Sequence, residues 1–409
     1  MKRGAGLCGC LAAALTIACG SSAEHAGVTL RVMNWATAIE LQLEQRVADE
    51  FARTHPGVDV IVESIVSNYG EKLSTSIASG VPPDVFLFDA SDIPAFTDRN
   101  LVLDLAPYIH RVGYDTSAVF ENVLDIFRDG DRLFAFPKGF TPMVVYYNRA
   151  VFRERDVPEP PVEGWTWAEF SATAQRLLAD TDGDGRNDVY AMNFPRIFYE
   201  WIPWIWSGGG DVVDPTGRRA TGYLDSEATL AGFEFLTSLV TELEAVPPIQ
   251  FRTEGGDPMT TGRFFVGRQA MYTSGHWQMP RMLQYARTQS LEVGVAPIPH
   301  REGNRSQTVV YASGWAVPAN VRHRRLAVEL AAFLGSPVAQ RIRAETRIEI
   351  SAVRAVAEEV AAGDELGVEE TFLRLVETAR VPWGSRITDF HEVERLTNDV
   401  MDTYVLRAA

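Results

Sequence analysis

Asp180-Thr181-Asp182-Gly183-Asp184-Gly185-Arg186-Asn187-Asp188 places carboxylates at its first, third, fifth and ninth positions and glycine at the sixth. That is the spacing of the oxygen-rich half of a calcium loop. The twelfth position, where a bidentate acid closes the shell, is Ala191. Asp180, Asp182, Asp184 and Asp188 are therefore either ligands of a structural calcium completed by a distant acid, or an acidic turn. No other cofactor is implied. There is no Gly-x-Ser-x-Gly elbow, and His391-Glu392-Val393-Glu394-Arg395 lacks the second histidine of a metal-binding helix. A glycosidase needs two carboxylates flanking a groove. Glu200 beside Trp201, or Asp89, offers one acid, and no spacing supplies its partner.

Binding is better provided for than catalysis. Trp35, Trp206, Trp277 and Trp315 each stand at an expected strand end or beside glycine, where a ring can face a cleft. Flat rings against the apolar faces of sugar rings, with acids and amides for the hydroxyls, make a carbohydrate site, because a few polar groups fix orientation. The competing reading for each ring is core.

The elements that would position these residues follow from periodicity. Val28, Leu30 and Val32 alternate into a strand ending at Asn34-Trp35. Ile39, Leu43, Val47 and Phe51 then mark one helix face, and His55-Pro56-Gly57 stops it. Val58, Val60 and Val62 form a second strand, a helix opens at Asn68-Tyr69-Gly70, and Val85 to Asp89 is a third strand. Strand, helix, strand, helix, strand is a parallel α/β sheet, whose ligands bind beyond the carboxyl ends of the strands, where Trp35 and Asp89 sit. Phe134 to Asn148 reads as an alternating strand, an interruption from Pro137 to Pro142, and an apolar strand buried on both faces. It is either a crossing between two lobes or a strand, bulge and strand within one. Thr166 is placed to cap a helix beginning Trp167-Ala168-Glu169. Asp225 to Leu243 is an amphipathic helix, Gln269 to Tyr272, Val293 to Ile298 and Val309 to Val317 are strands, and the chain is mostly helical after His323.

A chain of 409 residues with 46% hydrophobic and 22% charged residues is globular and long enough for two cores. The net charge of -16 argues against nucleic acid and anionic bilayers as partners. Cys8, Cys10 and Cys19 are all of its cysteines, so no disulfide framework or cysteine zinc site exists beyond them. Lys2 and Arg3 followed by the apolar Leu7 to Ala18 read as an export signal too short to span a bilayer. Leu15-Thr16-Ile17-Ala18-Cys19 resembles a bacterial lipoprotein signal, with Cys19 as the acylated first residue of the mature chain. The expected product is exported and held in the cell envelope by lipid alone, with residues 1–18 as signal and 19–27 as tether.

Gly80-Val81-Pro82-Pro83-Asp84-Val85-Phe86, Asp131-Arg132-Leu133-Phe134-Ala135-Phe136-Pro137, Val145-Tyr146-Tyr147-Asn148-Arg149, Trp165-Thr166-Trp167-Ala168-Glu169-Phe170 and Gly314-Trp315-Ala316-Val317-Pro318 occur in that order. Together they resemble the family 1 extracellular solute-binding proteins, carbohydrate-type receptors for ABC importers. The resemblance implies a two-lobed α/β fold of the periplasmic-binding-protein kind (type II-like), each lobe a sheet flanked by helices with the ligand cleft between. It divides the chain into lobe 1 (28–140 plus 289–316) and lobe 2 (141–288 plus 317–409). It implies a monomer that binds a sugar or sugar-like solute, delivers it to ABC permease subunits and catalyses nothing. A glycerol-phosphate-type receptor, a signalling sensor and a secreted carbohydrate-active enzyme are the alternatives. Carried over onto this chain, Trp35, Tyr69, Asp89, Thr141, Ser274, Trp277, Gly314, Trp315 and Arg386 are the candidate ligand residues, beside Trp206 from the aromatic patch. Where the family usually shows a Gly-x-hydrophobic-Pro turn, this chain has Arg347-Ile348-Glu349-Ile350-Ser351. Arg347 with Arg386 would favour an anionic solute.

Overall fold

A computed structural model describes residues 27–247, 258–401 and 403 of the chain. The expected signal, the anchor Cys19 and all of the tether except Gly27 lie outside the described residues. Strand β1 (Val28–Asn34) and strand β2 (Val58–Ser64) pair in parallel and are joined by helix α1 (Ala38–Thr54). The expected stripe of α1 is buried at Leu43, Val47 and Phe51. Glu40 reaches back to the Thr37 N–H at 2.9 Å, closing a capping box at its start. Helix α2 (Tyr69–Ala78) leads to strand β3 (Val85–Asp89), which lies parallel to β1 on its other side.

Strand β4 (Phe136–Asn148) is buried along its whole length. The expected interruption from Pro137 to Pro142 is not there. The segment stays in the sheet and bulges only between Pro137 and Gly139, which turns Lys138 towards Glu349 at 2.6 Å. The two prolines interrupt nothing because the bulge and the end of the pairing fall where they sit. The Met143 N–H goes to the hydroxyl of Thr308 at 3.0 Å. Beyond that point β4 pairs antiparallel with strand β5 (Met271–Gly275) on one edge and strand β6 (Val293–Ala296) on the other. Before it, β4 pairs with strand β7 (Val310–Ala316) and the two-residue strand β8 (Ile350–Ser351). The first sheet runs β8-β4-β7-β3-β1-β2. One unbroken strand thus serves two sheets, and these are the two lobes.

Helix α3 (Trp167–Leu177) is capped as expected, the Glu169 N–H donating to the Thr166 hydroxyl at 3.2 Å. Helix α4 (Phe198–Ser207) is the aromatic patch, buried through Trp201, Trp204 and Trp206. Helix α5 (Glu227–Thr241) lies against α4. Two of the expected lobe boundaries need correction. Val293–Ala296 pairs with Val145 to Asn148, in the second sheet and not the first. Helices α6 (Arg324–Leu334) and α7 (Pro337–Ala344), expected in lobe 2, cover the first sheet, and α7 is tied to α1 by Arg343 on Glu44 at 2.7 Å. The apolar stripe of α6 (Leu326, Leu330, Leu334) belongs to the same core as Leu30 and Phe86. Helix α8 (Glu369–Val376) packs on β4, and helix α9 (Phe390–Val400) packs on α4. No helix among the described residues is long and apolar enough to cross a membrane.

Candidate ligand site between the lobes

The parallel strands deliver their carboxyl ends to one edge of the first lobe. Asp89 ends β3 and accepts the Ser91 N–H at 2.8 Å, folding residues 90–92 into a tight helical turn. Burial pushes the Asp89 carboxyl up, against the Ser91 hydroxyl that lowers it. Tyr69 divides its hydroxyl hydrogen between the carbonyls of Leu87 (2.7 Å) and Met33 (3.1 Å). It therefore ties β1 to β3, and Trp35 stands edge-on against it, ring centres 5.0 Å apart. Trp35 is half-buried.

The second lobe brings the start of α4 to the same place. Tyr199 meets Trp277 edge-on at 5.8 Å and Tyr311 edge-on at 6.1 Å. Gly275 permits this, since a Cβ there would lie 2.2 Å from the Trp277 ring. Pro203 has no N–H to give the Tyr199 carbonyl, so that acceptor is left without its helical donor. Glu200 accepts the Arg196 N–H at 3.1 Å, and burial drives its carboxyl up to about 7. The Tyr311 phenol is raised by burial and by the negative charge of Glu394, Asp89 and Glu200 around it. Among the described residues its hydroxyl has no hydrogen-bond partner, nor has that of Ser313, which faces Asp89 across the β3–β7 pairing. Helix α9 closes the group from the side. His391 bonds Asp92 of the first lobe at 3.0 Å and lies 3.6 Å from Glu394. Those two bonds raise its imidazole to about 10. The lobes touch closely here: a Cβ on Gly384 would sit 2.7 Å from that of Ser91.

Of the ten expected ligand residues, Trp35, Asp89 and Trp277 frame this cluster, and Tyr69 supports it from behind with its hydroxyl spent on the backbone. The others are corrected. Trp315 is fully buried in the first-lobe core, and Gly314 is packing, because a Cβ would lie 2.9 Å from that of Ala135. Thr141 is nearly buried and its hydroxyl accepts the His276 N–H at 2.5 Å, pinning the crossing. Ser274 is buried in β5 opposite Val144. Trp206 lies seven residues along α4 from Tyr199, about 10 Å by helix geometry. Its indole N–H is held by Asp211 at 2.9 Å. Arg386 is exposed and donates to the Pro215 carbonyl at 3.1 Å. Arg347 donates to Glu369 at 3.3 Å, within a buried group in which His276 also meets Glu369 at 2.9 Å. The two arginines that would have favoured an anion are thus engaged elsewhere.

Sequence reasoning missed Tyr199, Tyr311, Asp92, His391 and Glu394 as site residues. Tyr199 had a signal, because it precedes Glu200 at the edge of the aromatic patch. His391 had only the weak signal of Glu394 three residues on, since its partner Asp92 comes from the approach of α9 to residues 90–92. In the acidic loop, Asp180, Asp182 and Asp188 can bring carboxylate oxygens within 4.8 Å of one another. Asp184 is not in that group and accepts the Arg186 N–H at 2.8 Å. Backbone N–H bonds from Gly185 and Gly183 hold Asp180 below the usual carboxylate range.

The family described as bacterial extracellular solute-binding protein matches residues 46–367. A galactooligosaccharide-binding protein of Bacillus subtilis (strain 168) is 21% identical over 362 residues, 86% of this chain and 81% of its own. Two solved structures share the fold. One is an ABC substrate-binding protein from Listeria monocytogenes in complex with cycloalternan (TM-score 0.78, 21% identity, 93% of each chain). The other is UgpB from Mycobacterium tuberculosis in complex with glycerophosphocholine (TM-score 0.77, 18% identity, 93% of this chain and 94% of that).

Proposed function

This chain belongs to the bacterial extracellular solute-binding protein family, and from that premise we propose that it is an extracytoplasmic receptor that closes around a sugar or sugar-like solute and delivers it to an ABC permease. The observation that carries this reading is the cross-lobe cluster. Tyr199 and Trp277 of the second lobe, and Tyr311 where β7 leaves the crossing, supply three rings. Asp89 and the partnerless hydroxyls of Ser313 and Tyr311 supply polar groups for a polyol. Rings for sugar faces and fixed polar groups for hydroxyls are the composition of a carbohydrate site. Closure signals loading to the permease only if the solute contacts both lobes, because a ligand shifts an equilibrium by its differential affinity for the two states. We place the mature protein outside the cytoplasm, acylated at Cys19, working as a monomer without a catalytic step.

A thermal-shift panel of galactooligosaccharides, maltodextrins, mannooligosaccharides and glycerophosphodiesters tests this. At a hundredfold excess over Kd the true solute adds roughly 2.7 kcal/mol of stability. Trp277→Ala and Tyr199→Ala remove the shift while leaving the unliganded transition near that of the wild type. A panel in which only glycerophosphodiesters shift the transition would replace the sugar with that solute. No shift from any member sinks the carbohydrate reading. A second reading rests on Glu200, whose carboxyl at about 7 is where a general acid works. Turnover of any glycosidic bond would establish it in place of the receptor. We also propose calcium at Asp180, Asp182 and Asp188. Calcium should raise the Tm of the wild type and not that of Asp182→Asn, and equal shifts in both would refute it.

A further inference from the structure

At the opposite end of α4 from Tyr199, a cavity of about 780 Å³ opens, lined by Trp206, Tyr223, Asn304, Arg305, Gln307 and Arg380 among others. The one carboxylate among its described lining residues, Asp211, is fully engaged. One oxygen accepts the indole N–H groups of Trp206 and Trp383, each at 2.9 Å, and the Val212 N–H. The other accepts the Arg380 guanidinium at 2.6 Å. Arg380 lies over the Trp206 ring, 4.1 Å from its centre. It is held by that ring and by Asp211, and it uses one N–H of the five a guanidinium carries. Arg305 lines the same cavity, is exposed, and makes no ion pair among the described residues. Asn304 and Gln307 add amides beside it. Among the described residues the wall therefore holds two guanidiniums and a single carboxylate that is already matched, on a chain whose net charge is -16.

We propose that this cavity is a second binding site, distinct from the cleft, for a small polyol carrying an oxyanion, either a carboxylate or a phosphate ester. A planar guanidinium fixed by an aromatic face and a carboxylate loses little freedom when it forms a forked pair with an oxyanion. The volume takes one monosaccharide-sized ligand with room for water. Its walls come from residues 206–228 and 303–307 and from Arg380, the 303–307 segment being tied to Ser207 at the end of α4 through Arg301 and Gln307, and none of them is among the cleft residues Asp89, Tyr199, Trp277, Tyr311 and Ser313. It stands whatever the cleft holds.

The test follows the indole N–H signal of Trp206, assigned by Trp206→Phe, in protein with nitrogen-15-labelled tryptophan. Glucuronate, glycerol 3-phosphate, inorganic phosphate and glucose are titrated at physiological ionic strength, where diffuse surface attraction is screened. We expect a saturable shift with glucuronate or glycerol 3-phosphate and none with glucose. In Arg305→Ala, at an exposed position away from the cleft, binding should weaken about tenfold. Arg380→Lys, which keeps the charge and loses the fork, should weaken binding as well. The response to the two organic anions separates a carboxylate site from a phosphate site, and either outcome supports the proposal. A response to inorganic phosphate alone, equal shifts with glucose, no saturable shift from any anion, or unchanged affinity in Arg305→Ala each overturns it.

Discussion

Helix α4 has an aromatic and acidic cluster at each end, and the two are satisfied in opposite ways. At its C-terminal end Asp211 gathers Trp206, Trp383, Arg380 and the Val212 N–H, so its donors and its own charge are matched inside the protein. At its N-terminal end Glu200 accepts the backbone N–H of Arg196, the Tyr311 and Ser313 hydroxyls have no partner, and the Tyr199 carbonyl lacks its helical donor. Buried polar groups are normally paired, and an unpaired one costs about 1–3 kcal/mol. A fold that matches one cluster completely could have matched the other. Unpaired buried polar atoms also occur elsewhere, the indole N–H groups of Trp201 and Trp204 within α4 among them, so what sets the cleft end apart is that its unmatched hydroxyls lie beside Asp89 and Glu200 where the two lobes meet.

The largest way to break this comparison is Asp211→Ala. It leaves two indole N–H groups and a part-buried guanidinium without their acceptor, for a loss of about 3 kcal/mol after allowing for the solvent that still reaches Arg380. Chemical denaturation should show it as a lower midpoint with an unchanged m-value. A loss below about 1 kcal/mol would mean that the node is not structural. The same substitution should leave solute affinity in the cleft nearly unchanged.

Much of the fold is legible in the amino-acid sequence, because period-two and period-3.6 patterns carry it directly. Leu30 and Val32, the Leu43-Val47-Phe51 stripe and the Thr166 cap all fall where the pattern puts them. The crossing is legible as a place but not as a shape, since Pro137 and Pro142 argue against a continuous strand until the bulge at Lys138 and the Thr308 hydroxyl are known. The site is less readable. Trp35, Asp89 and Trp277 end elements of regular pattern, and the rule that ligands bind beyond strand ends singles them out as candidates. Trp206 and Trp315 obey the same local rule yet stand away from the cleft cluster, because a ring's surroundings are set by segments a hundred or more residues away. Tyr311, and His391 in its bond to Asp92, depend on such distant contacts. The lobe boundaries failed for the same reason: α6 carries an apolar stripe that fits either lobe, and its packing on β3 and β7, with the Arg343–Glu44 pair of its neighbour α7, shows which sheet it covers.

A smaller effect sharpens the cleft side of the comparison. The Glu200 carboxyl is raised by burial from 4.5 to about 7, so the folded protein binds a proton there that the unfolded chain has released. Stability should therefore fall as pH rises from about 4.5 to about 7, by up to roughly 3 kcal/mol if nothing else relaxes, and be flat beyond it. Glu200→Gln should remove that slope and leave the protein more stable than wild type above the upper limit. A wild-type curve without the slope, or a Gln variant that keeps it, would place Glu200 in water instead of in a desolvated cleft wall. Bound solute should flatten the slope if its hydroxyls reach Glu200.

The smallest expected effect belongs to a pair that the protein already satisfies across its two lobes. His391 on α9 bonds Asp92 on the first lobe and lies beside Glu394, and these bonds raise its imidazole from 6.5 to about 10. A raised cation gives stability that is fully present below its unfolded value and is lost as pH climbs through the folded one. The pair should therefore hold at neutral pH and release between about 6.5 and about 10. His391 is two-thirds exposed at its side chain, so solvent screening keeps the contribution to about 0.5 kcal/mol. Global unfolding of Asp92→Asn should therefore look almost like that of wild type. The lobes are a more sensitive gauge, because a closed state favoured by only a few kcal/mol responds to fractions of one. Unliganded Asp92→Asn should show a larger radius of gyration in small-angle scattering at neutral pH, and wild type should approach it as the pH is raised. If both keep the same radius throughout, the Asp92–His391 contact decorates the interface without holding it, and closure rests on the solute alone.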